Sequence, residues 1–97
     1  MKIFKNKNLT EEVTYLDLGI VEAGETERFI YYVTNDSGAE LKNLTFAIEH
    51  REVKIIEAPK ELAPKAIAEL VIEWHPAVTL KEGLKARLNI NGIELWS

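Results

Sequence analysis

Hydrophobic and polar residues alternate along most of this chain, and a period of two predicts β-strands. The longest such run lies between residues 25 and 35, where Phe29, Tyr31 and Val33 occupy every second position. Its β-branched and aromatic content is typical of strands. The same period predicts further strands at residues 16–20, 41–49, 53–57, 66–74, 84–90 and 93–96.

Turn residues separate these runs. Residues 35–38, Asn-Asp-Ser-Gly, favour a turn and predict an antiparallel connection between the strands on either side. Asn91-Gly92 is the strongest hairpin signal, because a type I′ turn needs two positive φ angles. One segment has an alternative: residues 64–74 also place apolar residues at helical spacing behind Pro64, so a helix competes with a strand there.

Short strands with turns every 8–12 residues are typical of an immunoglobulin-like β-sandwich. We therefore predict an all-β fold with a single immunoglobulin-like domain of about seven antiparallel strands over residues 1–97, in which residues 1–12 form an N-terminal arm or an edge strand. The residues expected to face inward are Leu18, Phe29, Tyr31, Val33, Phe46, Ile48, Leu70, Ile72, Trp74, Leu88 and Ile90.

Composition narrows the function classes. The chain has 97 residues, a formal net charge of −4, no cysteine and no basic run. Disulfides and thiolate zinc sites are excluded, and we expect no nucleic-acid partner. No apolar run approaches ~18 residues, so we expect no membrane partner. The lysine-rich start lacks the apolar core of a signal peptide, so the expected location is the cytoplasm or a virion.

Candidate chemistry is sparse. His50 and Glu52 share a strand face beside Glu49, but a zinc site needs three or four ligands. We expect a solvated strand end there and a surface position for His75. Neither Ser37, in a turn, nor Ser97, at the last position, fits a nucleophile elbow. The sequence therefore predicts no enzyme, no cofactor and no metal site.

Two segments resemble a known domain group. "LDLGIVEAGETERFIYYVTNDSGAELKNL" resembles the opening of abnormal-spindle/hydin-type and major-sperm-protein-like domains, and "ELAPKAIAELVIEWHP" resembles their later proline- and tryptophan-containing segment. The resemblance covers residues 16 to about 96 and implies an immunoglobulin-like binding or scaffold module. Small domains of this kind also resemble accessory proteins that decorate tailed-phage virions. Lys65 stands where these domains usually have glycine, and lysine disfavours the positive φ of their turn.

Apolar residues on the face opposite the predicted core indicate a binding surface. Ile30, Tyr32, Ile67 and Val71 would lie there, and Trp96 stands near the last position. A contiguous outer apolar patch indicates a partner, unless the N-terminal segment with its Phe4 folds over it. We expect a module that docks on a larger protein assembly, most concretely a viral capsid or tail as a virion accessory protein. The alternative is an intracellular scaffold that adds a strand to a client. A homo-oligomer fits either function.

Overall fold

The computed structural model describes residues 1–96, and their regular structure consists of β-strands. The strands are β1 (Lys2–Phe4), β2 (Glu12–Val13), β3 (Leu16–Gly19), β4 (Glu27–Thr34), β5 (Glu40–Ile48), β6 (Val53–Glu57), β7 (Ile67–Trp74), β8 (Leu84–Ala86) and β9 (Leu88–Leu95). The all-β prediction is confirmed. The helical alternative for residues 64–74 is wrong, because β7 occupies that segment. Over residues 1–96 the fold contains no helix with the length and apolarity needed to cross a membrane.

Five antiparallel strands form the largest sheet, in the order β2-β1-β4-β7-β6. β4 and β7 pair along their full length, from Glu27 opposite Trp74 to Thr34 opposite Ile67. β1 is shorter and pairs with β4 from residue 32 to residue 34. The start of the chain is therefore part of the sheet, beside β4.

The remaining strands form two pairs, β3 with β8 and β5 with β9. Arg87 alone separates β8 from β9, and its carbonyl accepts a hydrogen bond from the amide of Glu49. The strands on either side of the 35–38 turn, β4 and β5, belong to different sheets, so the antiparallel connection predicted there does not join two paired strands. A turn sequence predicts only that the chain changes direction. The partner of each strand is determined by contacts between residues that are distant in sequence.

The hairpin predicted at Asn91-Gly92 is also wrong. β9 continues through both residues and pairs with β5, with a register shift between Lys42 and Thr45. Leu44 packs closely on Gly92: a Cβ there would lie 2.7 Å from Cδ2 of Leu44. The glycine therefore makes room for a core leucine, and the irregularity falls on β5, where Asn43 has a φ of 52°.

The buried side chains form one hydrophobic cluster around Trp74, Leu16, Leu70 and Ile72, which are fully buried. Of the residues predicted to face inward, Leu18, Tyr31, Val33, Leu70, Ile72 and Trp74 are buried. Phe29, Phe46, Ile48, Leu88 and Ile90 are partly buried and pack against the cluster. The predicted inward face therefore corresponds to the observed core, while the immunoglobulin-like topology stays a prediction.

Asn35 joins two turns at one end of the core. Its side chain is 1% exposed, and its Nδ2 donates to the carbonyls of Ala39, Leu62 and Ala63 at 2.7, 3.0 and 3.2 Å. Its own carbonyl accepts from the amide of Lys65 at 2.8 Å. Lys65 has a φ of 66°, so the positive-φ turn forms here without glycine.

Candidate protein-binding surface

The strand register places four of the predicted binding residues on one face. We call it the outer face: the side of the five-stranded sheet opposite the buried Tyr31 and Leu70. Directly opposed residues of antiparallel strands project to the same side. Ile30 lies opposite Val71, and Ile67 lies opposite Thr34, two positions from Tyr32. Ile30, Tyr32, Ile67 and Val71 therefore share the outer face.

The exposure of these side chains differs along the face. Ile30 is 49% exposed and Ile67 54%, whereas Tyr32 is partly buried and Val71 is 9% exposed. Val71 lies on a central strand, with Ile30 beside it on β4 and Glu57 beside it on β6. Its neighbours on the same face cover it. Because the isoleucines remain half exposed, residues 1–96 place no second layer over this face.

Phe4 extends the outer face and does not cover it. It lies opposite Tyr32 in the β1–β4 pair, while Ile3 lies opposite the core residue Val33. β1 therefore continues the sheet sideways and does not lie over the face. β1 has three residues, too few to show an alternation of apolar and polar positions, so the sequence pattern does not predict that Phe4 lies on the outer face.

Charged residues border the apolar centre. At one end of the face Arg28 lies opposite Glu73, and their Nε and Oε2 atoms are 2.9 Å apart. Lys54 on β6 lies opposite the same Glu73. Further along, Glu69 is exposed opposite Tyr32, and Lys2 is exposed opposite Thr34. The rim thus carries both signs of charge around an apolar middle.

A shallow groove of about 330 Å³ crosses one end of the face. Tyr32, Ile67 and Ala68 form its apolar wall, and Lys7 and Glu69 stand at its polar side. The groove therefore combines an apolar wall with one cation and one carboxylate.

Trp96 lies elsewhere. It follows β9, which pairs with β5 outside the five-stranded sheet, and it is 67% exposed. Its ring lies beside Gly38, where a Cβ would be 3.5 Å from Cζ3. Ile93 and Leu95, each about half exposed, precede it. The structure therefore groups four of the five predicted binding residues and separates the tryptophan from them.

The histidines occupy two distinct environments. His50 is partly buried and meets Trp74 edge-on, with ring centroids 6.3 Å apart, and its Nε2 lies 4.0 Å from Glu52. The expected solvated position for His50 is therefore wrong, since the ring packs on the core. His75 is exposed and shares a hydrogen bond with Thr26 at 2.7 Å. Within residues 1–96, no three histidine, aspartate or glutamate residues group as metal ligands.

Tyr31 and Lys42 are two of the groups whose pKa is shifted by their surroundings. Burial raises the pKa of Tyr31, and the negative charge of Asp17 raises it further. The ammonium of Lys42 donates hydrogen bonds to the carboxylates of Glu40 and Glu61, 2.8 and 2.9 Å from Nζ, and these bonds raise the pKa of Lys42. Neither group lies on the outer face, so apolar contact and the charged rim are what that face offers a partner.

Comparison of the chain with protein-family models, with curated proteins and with solved structures found no match.

Proposed function

We propose that this chain is a non-enzymatic protein-interaction module that docks on a larger protein assembly through the outer face. The observation that carries the proposal is the pair Ile30 and Ile67, both about half exposed and both beside Tyr32 on one sheet face. Solvent favours polar side chains at such positions, whereas a protein partner repays their exposure when it removes them from water.

The arrangement matches the anatomy of a protein–protein interface. Such interfaces have an apolar centre enriched in aromatic residues and a polar rim. Here Tyr32 and Phe4 adjoin the isoleucines, and the Arg28–Glu73 ion pair lies at the border. The partner we infer is therefore a protein surface with an exposed apolar patch and charges of both signs around it.

A repetitive assembly is the partner that suits a module of this size. Many copies bound to a symmetric lattice gain from avidity, so each copy needs a small interface. The most concrete form of the proposal is an accessory protein on a viral capsid or tail. Membership of the immunoglobulin-like abnormal-spindle/hydin and major-sperm-protein-like group belongs to the same proposal. What supports this membership is the positive φ of Lys65, at the turn where those domains usually have glycine.

The test changes the outer face without touching the core. The double variant Ile30→Lys with Ile67→Lys is compared with a matched control, Ile20→Lys with Val78→Lys, whose side chains are 59% and 67% exposed elsewhere. Each tagged protein is sedimented with the capsid and tail particles, or other large assemblies, of the cells that carry the gene. Cross-linking then identifies the contacted subunit.

We expect the control to sediment like the wild type and the face variant to lose about 30-fold in affinity, which corresponds to about 2 kcal/mol. Thermal unfolding should change by less than about 0.5 kcal/mol in both variants, since all four positions are exposed. Equal sedimentation of the face variant and the control would refute docking through the outer face.

A further inference from the structure

Half of β4 has an open backbone edge. β1 pairs with β4 at residues 32–34, and then the chain turns away, with the amide of Lys5 donating to the carbonyl of Glu11 at 2.9 Å. Within residues 1–96, no backbone hydrogen bond reaches Arg28–Tyr31 from that side. A row of unpaired amides and carbonyls is a template for another strand.

A groove of about 520 Å³ runs along this open edge. Its lining includes Arg28 and Ile30 from one side of β4 and Phe29 and Tyr31 from the other. Residues of both parities touch the groove, so it lies at the rim of the sheet and not on either face. The opposite wall comes from β3, at Asp17, Leu18 and Gly19.

The far wall is open at Gly19. Gly19 has a φ of 64°, and a Cβ at this position would meet no atom within 4 Å. The register of β3 against β8 also shifts between Asp17 and Gly19, which bends this short strand. The open edge of four residues spans ~13 Å, the length of a four-residue strand.

We propose that Arg28–Tyr31 is a strand-addition site for an extended, partly acidic segment of a partner protein. The added strand continues the line of β1, antiparallel to β4. Its inward side chain packs on Phe29 and Leu18, which calls for a residue such as valine. Lys5 stands at the entrance and forms no ion pair within residues 1–96. An acidic residue at the leading end of the segment complements that charge.

The experiment uses a synthetic probe. It is an acetylated peptide of about seven residues that alternates valine with threonine and begins with aspartate. Two further peptides carry N-methyl groups on the odd or on the even backbone amides. Binding to the full chain is followed by amide chemical shifts in nuclear magnetic resonance, and the strongest shifts are expected at residues 28–31.

Strand addition predicts an alternating response, because only every second amide of an added strand faces β4. One methylated peptide should lose at least tenfold in affinity, and the other should stay within about threefold of the parent. Lys5→Glu should weaken binding about threefold to fivefold, as expected for an exposed ion pair. Lys7→Glu, the control in the same loop, should have no effect.

Equal behaviour of the two methylated peptides, or no saturable shift at about 2 mM peptide, would overturn the proposal. The Ile67→Lys variant separates this site from the outer face, since Ile67 does not line the groove. It should keep the peptide while losing the assembly. If it lost the peptide, the probe would be binding to the outer face and strand addition at β4 would be refuted.

Discussion

Replacement of Asn35 by alanine is expected to lower the free energy of unfolding by about 3 kcal/mol. The two N–H groups of its Nδ2 reach three carbonyls, those of Ala39, Leu62 and Ala63, so one of these hydrogen bonds is shared, and its Oδ1 accepts from the amide and the hydroxyl of Ser37. Each acceptor keeps a second donor, namely the Ser37 hydroxyl, the Leu41 amide and the Ala66 amide. The variant therefore loses net hydrogen bonds of ~0.5–1.5 kcal/mol each and does not leave bare buried carbonyls.

Asn35→Asp gives the same argument a pH signature. A carboxylate cannot donate to the surrounding carbonyls, and burial disfavours its charge, so the folded-state pKa of the introduced acid rises above the unfolded value. A raised folded-state pKa means that stability is present at low pH and is lost as the pH rises. The loss in free energy of unfolding caused by Asn35→Asp should therefore grow as the pH rises above ~4. The loss caused by Asn35→Ala should grow less over the same pH range.

The assay is urea unfolding followed by tryptophan fluorescence at several pH values. Asn89→Ala is the matched control, because Asn89 is exposed and its Nδ2 donates to Glu49 at 3.1 Å. We expect that control to change stability by less than about 0.5 kcal/mol. If Asn35→Ala were as stable as Asn89→Ala, the hydrogen bonds of Asn35 would not stabilise the fold, and the explanation given for its burial would be refuted.

Three further measurements test the core, a strained turn and the ionisation of Tyr31. In urea unfolding, Trp74→Ala should lower the free energy of unfolding by ~3–5 kcal/mol, because it empties the centre of the core. His50→Ala should lower it by about 1 kcal/mol, because the edge contact with Trp74 is lost. A larger loss for His50→Ala than for Trp74→Ala would contradict the assigned core. Lys65→Gly should be more stable than Lys65→Ala by about 1 kcal/mol, because alanine keeps the cost of a positive φ; equal melting temperatures would show an unstrained turn. Because the pKa of Tyr31 is raised in the folded state, the tyrosine ionises at lower pH in the unfolded state. The free energy of unfolding should therefore fall above pH ~10, and Tyr31→Phe should make this fall less steep. An equally steep fall in Tyr31→Phe would show that the folded state does not raise this pKa.

Several features follow from the sequence by itself. Period-two alternation depends on each residue's preference for core or water, so it locates strands wherever they are long enough. β6 was predicted at its observed bounds, and β3, β4, β5 and β7 were predicted within a few residues. The opposition of Ile30 and Tyr32 to Tyr31 and Val33 follows from the same alternation, and so does the candidate outer face.

Pairing was decided by the tertiary structure. The partner of a strand depends on contacts far away in the chain, and a local turn signal does not contain them. Asn91-Gly92 has hairpin residues, yet β9 pairs continuously with β5 and Gly92 accommodates Leu44. Likewise, the turn at residues 35–38 carries the chain from one sheet to another.

The same reason explains the remaining differences at the site. Phe4 joins the outer face because β1 pairs with β4, and Trp96 leaves it because β9 pairs elsewhere. Lys65 adopts a positive φ because its amide and its ammonium bond to the Asn35 and Asp36 carbonyls, 30 and 29 residues earlier in the chain. Local preference set the strands and their faces, and long-range hydrogen bonds selected which of those faces and edges lie together.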